Sequence, residues 1–569
     1  MTDPARGERL RSYLNELYGE PRAAEVLPRL LDKVEHHFPA TERKNERSGE
    51  AYSQSTVMLI TYGDQVRQQG EAPLETLRHF LLENNLEDQL SAVHILPFYP
   101  YSSDDGFSVI NYRTVDRNLG KWPDVEALAE HFDLMFDLVL NHISSRSAWF
   151  LNYLDGDPPW HKFFIEVDPK TDLSAVVRPR SLPLLTPFET SRGRRHVWTT
   201  FSDDQIDLNF AEPDVLVEMA DVMLEYLARG ARILRLDAIA YLWKEIGTSC
   251  INDKRTHTVV KLLRALCEEA AQDTLILTET NLPHDQNVSY FGDGDEAHVV
   301  YQFSLPPLLL DAMTTGDAGP LVRWLTDLEP PPPGTTFLNF TASHDGIGVR
   351  PLEGLVPPER LGELQQEVLD NGGRVSTRRL ADGSDSPYEL NISYFNAVGG
   401  NDPEFQVRRF LATQAVMLAL KGIPAVYFHS LVGTPNDLEG LAKTGRARSI
   451  NRRRYEMGEL RNLIQDGGPQ TEVFDGYQKM LTARVGQPAF HPDADQQVWP
   501  VDAAAVAAFL RTPENGARVL VAVNFSSEER LIEMPAPSAQ DLLTDAPPKT
   551  RDGRLVLTPY QAAWLTLDD

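Results

Sequence analysis

Apolar residues recur along the chain in short, β-branched runs, and a longer stretch with apolar residues at helical spacing follows each run. Eight runs stand out: VMLITY from Val57, AVHILPF from Ala92, LMFDLVLNH from Leu134, RILRLDA from Arg232, LILTET from Leu275, HVVYQF from His298, TFLNFTASHD from Thr336 and IPAVYF from Ile423. This alternation is typical of parallel βα units, and eight units predict an α/β fold with a closed (β/α)8 TIM barrel. A doubly wound open sheet is the alternative, but no G-x-G-x-x-G or P-loop sequence marks its ligand-binding turn.

The regions outside these units predict further domains. Two connections exceed the roughly 2 to 6 residues of an ordinary βα loop. They are residues 143–212 (a B domain) and 346–401 (a second, B' insertion), and both are expected to shape a substrate site. Residues 1–55 have helical spacing, whereas 486–569 show the short alternating runs of an antiparallel β domain. The barrel is therefore expected in three parts, 56–142, 213–345 and 402–485.

Charge and composition exclude several classes of binding partner. The 569 residues include 54 Lys and Arg against 83 Asp and Glu, and the formal net charge of −29 disfavours nucleic acid. No apolar run approaches the roughly 18 residues of a membrane span, and the N-terminus has no signal-peptide core, so no membrane partner is expected. Cys250 and Cys267 are the only cysteines and predict free thiols in a cytoplasmic protein. A homodimer is the candidate assembly.

Three acidic residues lie at the carboxyl ends of predicted strands, namely Asp237, Glu279 and Asp345. In a βα barrel these ends converge on the face that carries active sites. Retaining glycosyl transfer needs one nucleophilic carboxylate and one carboxylic acid about 5 to 5.5 Å apart. A single acid at such a position is more often a helix cap or a solvated loop residue. Three of them, next to Arg235 and His344, favour a glycosyl-transfer site.

The segments DLVLNH from Asp137, RILRLDA, Glu279 and SHDG from Ser343 resemble, in order and spacing, the four characteristic regions of the α-amylase family, glycoside hydrolase family 13. The resemblance implies that Asp237 is the nucleophile, Glu279 the general acid/base and Asp345 the carboxylate that binds sugar hydroxyls. Arg235 would keep the nucleophile ionised. His142 and His344 would donate hydrogen bonds to glucose.

The same resemblance bears on cofactors. Asn141 occupies the motif position at which calcium-binding members of the family place a ligand. Nearer relatives generally lack the ion, so no metal is expected, and no other cofactor is implied.

Further segments resemble the sucrose phosphorylase-like members of this family, among them LITYGD from Leu59, HILPFYPYSSDDGFSV from His94, SHDGIGV from Ser343 and INRRRY from Ile450. By that resemblance Asp104 and Arg452 pair to close the glucose pocket, Phe107 forms an aromatic wall, and Phe201 and Gln205 line the entrance. The implied mechanism is a double displacement in which inorganic phosphate, rather than water, accepts the glucosyl group and gives α-glucose 1-phosphate. Arg180 and Tyr388 match positions used for phosphate.

The acceptor side departs from the sucrose phosphorylases, which carry Asp and Gln where this chain has Ser386 and Glu389. Several stretches look more like the glucosylglycerate phosphorylases of the same subfamily, which implies 2-O-α-D-glucosyl-D-glycerate as the α-glucoside. Phosphorolysis of sucrose, sucrose 6'-phosphate or glucosylglycerol remains an alternative. Hydrolysis of an α-glucoside is a less favoured alternative. An anionic acceptor needs further cations, and the candidates in the two insertions are Arg192, Arg194, Arg195, Arg374, Arg378 and Arg379.

Overall fold

The computed structural model describes residues 4–39, 50–179, 182–271, 273–379, 385–400 and 402–568. All eight predicted strands are present and form a closed parallel barrel. In chain order they are β1 (Met58–Thr61), β2 (Ala92–Ile95), β3 (Asp133–Val139), β4 (Ala231–Asp237), β5 (Leu275–Thr278), β6 (Val299–Tyr301), β7 (Thr336–Phe340) and β8 (Ile423–Tyr427). β1 pairs with both β2 and β8, which closes the barrel. The TIM barrel prediction is confirmed.

Helices bury the outer face of the barrel strands, and side chains that fill the barrel interior bury the inner face, so the strands are apolar almost throughout. Several of these helices begin with proline in the first turn, where the missing N–H has no intrahelical partner to lose. The barrel helices are Pro73–Glu83, Trp122–Ala129, Pro213–Ala228, Lys254–Ala270, His284–Val288, Leu305–Thr315, Gly319–Asp327, Gln406–Ala419, Phe428–Leu431, Met457–Gln465 and Pro469–Val485. Among the described residues, no helix combines the length and apolar character needed to cross a membrane.

The N-terminal region forms two helices, Pro4–Tyr18 and Glu20–His37, that pack on the barrel helices Lys254–Ala270 and Pro213–Ala228. Their apolar faces are buried, as the helical spacing of the sequence predicts. An ion pair between Arg29 and Asp214 (2.7 Å) joins the second helix to the barrel. The extension thus packs against the outer helices of the barrel.

Both long connections carry secondary structure of their own at the carboxyl ends of β3 and β7. The first contains the helix Ala148–Asp155 and two small antiparallel sheets, formed by His142–Ser144 with Gln205–Asp207 and by Leu185–Thr190 with Gly193–Trp198. The second contains the helices Pro358–Asp370 and Tyr394–Ala397 and a three-stranded sheet of Ile347–Gly348, Asp385–Asn391 and Arg374–Arg379. Both insertions therefore rise over the face on which Asp237, Glu279 and Asp345 lie.

The C-terminal residues form the antiparallel β domain that the sequence predicts. Its strands are Asp495–Val498, Val506–Thr512, Val519–Asn524, Arg530–Ile532, Ser538–Asp541, Thr550–Arg551, Arg554–Leu557 and Ala562–Leu567. Five of these correspond to the alternating runs in the sequence. The other three, Ser538–Asp541, Thr550–Arg551 and Arg554–Leu557, were not predicted.

Candidate functional site

Strand register brings two of the three acids to adjacent positions. Asp237 is the last residue of β4, and Glu279 directly follows β5. The two strands are neighbours, and the Glu279 N–H donates to the carbonyl oxygen of Leu236 (3.1 Å). Both carboxyl groups consequently lie at the carboxyl edge of the barrel, side by side.

Arg235 connects these acids beneath the pocket. Its side chain points to the same side of β4 as that of Asp237, because residues two apart on a strand share a face. Nη1 donates to Asp237 Oδ1 (2.7 Å) and to Asp137 Oδ1 (2.5 Å), whereas Nη2 lies 4.0 Å from Glu279 Oε2. The residue is only 2% exposed, so its positive charge acts on these carboxyl groups with little screening by solvent.

The two adjacent acids share a proton near neutral pH. Burial, opposed by Arg235 and reinforced by Glu279 and Asp137, raises the pKa of Asp237. Burial also raises the pKa of Glu279. The guanidinium contacts Asp237 directly but stays 4.0 Å from Glu279, so the negative charge resides on Asp237 and the proton on Glu279. The pair thus provides one carboxylate and one carboxylic acid.

Asp345 reaches the same pocket from the loop after β7. The loop is held by Asn451, whose Nδ2 donates to the carbonyl oxygens of Asp345 (2.9 Å) and Ser343 (3.2 Å). Burial opposes ionisation of Asp345, but the salt bridge from Arg448 Nη1 to Oδ1 (2.5 Å) outweighs it and keeps the pKa of Asp345 below its usual range. Asp345 is therefore a carboxylate at neutral pH.

These three acids line one pocket. It is lined by twelve of the residues that the sequence singles out: Asp104, Phe107, His142, Phe201, Gln205, Arg235, Asp237, Glu279, His344, Asp345, Tyr388 and Glu389. Asn281, Phe303, Phe340 and Arg448 also line it and were not predicted. A pocket with acids at its base and aromatic rings on its walls suits a sugar, which offers both hydroxyl groups and apolar C–H faces.

The two histidines of the pocket are neutral. Burial lowers the pKa of His142 to about 4 and that of His344 to about 3. His142 Nε2 donates to the carbonyl oxygen of Phe107 (2.9 Å). The ring of Phe107 stacks on His344 at 4.7 Å between centroids, and His344 Nδ1 has no hydrogen-bond partner within the part of the chain that the structure describes.

The expected pairing of Arg452 with Asp104 requires a correction. The salt bridge of Arg452 Nη1 is with Oδ2 of the neighbouring Asp105 (2.5 Å). Asp104 and Asp105 both have positive φ, 53° and 48°, and the tight turn directs their carboxylates differently. Asp104 lines the pocket and accepts a hydrogen bond from Gln205 Nε2 (3.4 Å). Arg452 lines a second cavity, the outer continuation of the pocket, which shares Asp104, Gln205, Tyr388, Glu389 and Arg448 with it. Its Nε donates to the carbonyl oxygen of His344 (2.7 Å).

Arg448 is the charged residue among the pocket residues that the sequence interpretation missed. Besides Asp345, it holds Glu389 with a bidentate pair, Nε to Oε1 (3.0 Å) and Nη2 to Oε2 (2.9 Å). Glu389 Oε1 also accepts from the N–H of Gly346, where a Cβ would lie 2.6 Å from Glu389 Cγ. Glu389 therefore positions Arg448 and the Asp345 loop. The available signal was the run of arginines after β8, GRARSINRRRY, beside a predicted acidic pocket.

The remaining predicted residues do not line the pocket in the part of the chain that the structure describes. Ser386 lines neither the pocket nor its outer continuation, and it lies opposite Arg378 on the paired strand. Arg180 lies outside the described residues. The three arginines of the first insertion are held by glutamates, Arg192 and Arg195 by Glu166 (2.5 and 3.5 Å) and Arg194 by Glu189 (4.0 Å).

The oxygens around Asn141 do not fit a calcium ion. Lys244 Nζ lies 2.5 Å from Asn141 Oδ1 and 2.6 Å from Asp207 Oδ2, and this side chain is almost fully buried. A divalent cation at Asn141 would have to displace an ammonium group that already compensates Asp207. The residues present thus give no reason to place a metal here.

Replacing Lys244 by methionine is expected to lower the free energy of unfolding by about 3 to 5 kcal/mol, because it leaves Asp207 buried without its cation. Thermal and urea denaturation followed by circular dichroism measure this change. The exposed Lys170→Met is the control and is expected to leave the unfolding transition unchanged. A Lys244→Met protein as stable as the control would contradict a structural ion pair at this position.

Comparison with known proteins identifies the family to which the chain belongs. Residues 87–323 match the alpha amylase catalytic domain. The chain is 47% identical to a glucosylglycerate phosphorylase of Spirochaeta thermophila, over 93% of this chain and 91% of that protein. It is 44% identical to a glucosylglycerate phosphorylase of Allomeiothermus silvanus, over 97% of both chains.

A solved structure agrees with the fold. The crystal structure of a sucrose 6F-phosphate phosphorylase from Thermoanaerobacter thermosaccharolyticum superposes with a TM-score of 0.73. It is 26% identical in sequence and covers 84% of this chain and 96% of its own. The chain therefore belongs to the α-amylase family, glycoside hydrolase family 13, and within it to the group that contains the glucosylglycerate and sucrose phosphorylases.

Proposed function

We propose that this protein is a retaining glycoside phosphorylase that converts 2-O-α-D-glucosyl-D-glycerate and inorganic phosphate reversibly into α-D-glucose 1-phosphate and D-glycerate. The observation that carries the proposal is the identity of 44 to 47% to glucosylglycerate phosphorylases along more than nine-tenths of the chain. The sucrose 6F-phosphate phosphorylase, at 26%, is more distant. The pocket supports the same reaction class, because it holds a carboxylate, a carboxylic acid and a third carboxylate.

In the first step the Asp237 carboxylate attacks C1 of the glucosyl group, and the bond from C1 to the glycerate oxygen breaks. Glu279 gives its proton to that oxygen, so glycerate leaves with a neutral hydroxyl group and a β-glucosyl ester remains on Asp237. Arg235 keeps Asp237 in the ionised form that this attack needs, through the hydrogen bond of 2.7 Å.

In the second step a phosphate oxygen attacks C1 from the side that glycerate left, and the Asp237 carboxylate departs. The phosphate proton passes to Glu279, which restores the acid for the next turnover. Two inversions at C1 give α-D-glucose 1-phosphate with net retention. Both steps pass through a positively charged, oxocarbenium-like sugar, which the carboxylates of Asp237 and Asp345 stabilise.

Phosphate has to enter a pocket that contains three acids, and cations near its mouth offset their charge. Arg448 neutralises Asp345, and Tyr388 presents its side chain to the pocket next to it. We assign phosphate binding to Tyr388 and Arg180. A cytoplasmic location is part of the proposal, since Cys250 and Cys267 are both free and buried.

Phosphate release from α-D-glucose 1-phosphate tests the proposal when D-glycerate, glycerol, fructose and fructose 6-phosphate are supplied in parallel. We expect D-glycerate to give the highest kcat/KM and glucosylglycerate as the product. In the forward direction, consumption of glucosylglycerate should require inorganic phosphate. A consumption rate independent of phosphate would identify a hydrolase, and preference for a sugar acceptor would assign the chain to a different phosphorylase.

A further inference from the structure

His94 is a polar side chain inside the barrel, and the mechanism above gives it no role. It lies in β2, is fully buried, and lines a small internal cavity behind the catalytic acids. The interior of a βα barrel is filled mainly by branched apolar side chains, such as Ile60 at the paired position of β1. Burying an imidazole costs free energy unless it is hydrogen-bonded, so the contacts of this ring explain its presence.

Among the described residues, the ring of His94 makes one hydrogen bond, to Asp137 on the neighbouring strand β3. Nε2 lies 2.7 Å from Asp137 Oδ2, and Nδ1 has no partner. Burial lowers the pKa of His94, although Asp137 opposes this shift, so the imidazole is neutral. Burial also opposes ionisation of Asp137, but Arg235 and His94 outweigh it and keep the pKa of Asp137 below its usual range. Because a carboxylate only accepts, Nε2–H of His94 is the donor.

Asp137 links His94 to the nucleophile through Arg235. One oxygen of Asp137, Oδ2, faces His94, and the other, Oδ1, accepts from Arg235 Nη1 (2.5 Å). The same Nη1 donates to Asp237 Oδ1 (2.7 Å). Two carboxylates therefore share one nitrogen of the guanidinium, and the share that each takes depends on how well its charge is compensated elsewhere.

Other titratable groups surround these contacts. The internal cavity is lined by His94 and Arg235 and by four further titratable side chains, Glu279, Tyr301, His344 and Asp345. Burial raises the pKa of Tyr301, and burial and Asp237 raise that of Tyr112, so both tyrosines stay protonated. His344 is neutral, and Asp345 is ionised beside Arg448. Near neutral and mildly acidic pH, the groups that gain or lose a proton here are consequently Asp237 and Glu279.

We propose that His94 is a positioning residue that keeps Arg235 available to the nucleophile Asp237. Its N–H satisfies one oxygen of Asp137, so Asp137 needs less of the guanidinium and Asp237 stays ionised. Without this N–H, Asp137 would draw the guanidinium toward itself, and Asp237 would bind a proton more readily. The inference rests on the proposed role of Asp237 and adds the residue that tunes it.

The variants His94→Gln and His94→Asn separate the N–H donor from the rest of the side chain. The amide nitrogen of glutamine can reach the place of Nε2, whereas that of the shorter asparagine reaches only the place of Nδ1. The substrate is α-glucosyl fluoride with inorganic phosphate, because departing fluoride needs little protonation. On the acid side of the pH profile, kcat/KM for this substrate therefore follows the ionisation of Asp237.

In His94→Asn we expect this acid limb to move to higher pH by about one unit, so that kcat/KM on the limb falls about 10-fold. His94→Gln should keep the profile of the unmodified protein, because it restores the donor to Asp137. His94→Phe fills the space of the ring without an N–H and should shift the limb as His94→Asn does, so the result does not depend on the folding of one variant. Thermal denaturation measures the stability of all three.

A lower melting temperature in His94→Asn and His94→Phe with an unmoved acid limb would show a purely structural role and overturn the inference. An equal shift of the limb in His94→Gln would also overturn it, since the effect would then belong to the imidazole and not to its N–H. The proposed function fails separately, if the unmodified protein does not use D-glycerate as an acceptor, because kcat/KM for α-glucosyl fluoride reports the first step and does not depend on the acceptor.

Discussion

Asp237→Asn is expected to reduce turnover of glucosylglycerate by several orders of magnitude, while the fold and the glucose pocket are retained. An amide cannot attack C1, so the route through the glucosyl ester is lost. The fold should persist because the Asn oxygen can still accept the hydrogen bond from Arg235 (2.7 Å in the native protein). Steady-state phosphate release and thermal denaturation measure the two parts of this prediction.

The matched control is Asp133→Asn, the same substitution at the exposed amino end of β3 and hence at the opposite face of the barrel. It should have normal activity. A sharper test uses Asp237→Gly with α-glucosyl fluoride and azide: direct attack by azide in place of the missing carboxylate inverts C1 and gives the β-azide. Near-normal turnover in Asp237→Asn, or an α-azide from Asp237→Gly, would refute the assignment of Asp237 as nucleophile.

Glu279→Gln is expected to lower kcat/KM for glucosylglycerate by about 10²- to 10⁴-fold, the usual contribution of a general acid. The loss should be much smaller with α-glucosyl fluoride, because fluoride departs with little need for a proton. This comparison of leaving groups measures protonation specifically. An equal loss with both substrates would mean that Glu279 supports the pocket without donating a proton.

The pH dependence of the unmodified enzyme belongs to the same prediction. Burial raises the pKa of both Glu279 and Asp237 above their ordinary values. The active form of the pair holds one proton, so kcat/KM for glucosylglycerate should fall as the pH rises through the raised pKa of Glu279 and the proton is lost. In Glu279→Gln this basic limb should be absent. Because kcat/KM for the glucoside reports the first step alone, ionisation of phosphate does not affect it.

Much of the architecture could be predicted from the sequence, because local patterns encode it. Eight apolar runs separated by helical stretches determine the barrel, and burial of both strand faces makes those runs visible. The positions of Asp237 and Glu279 at strand ends were also predictable, since parallel register aligns the carboxyl edges. Three strands of the C-terminal domain, Ser538–Asp541, Thr550–Arg551 and Arg554–Leu557, were not predicted.

The electrostatic partners could not be predicted, since they join segments that are distant in the chain. Arg448 lies more than a hundred residues after Asp345, and only packing of the loop after β8 onto the loop after β7 brings them together. The exchange of Asp105 for Asp104 at Arg452 depends on two left-handed residues in one turn. No apolar pattern specifies such a conformation.

The barrel, the order of its acids and the family of its chemistry follow from the sequence, because periodicity and short motifs are local properties of the chain. Which charges compensate each other depends on the folded structure, in which Arg448 pairs with Asp345 and Glu389, and Lys244 pairs with Asp207. Coulomb energies depend on distance and burial in three dimensions, and these are settled only when both insertions close over the barrel.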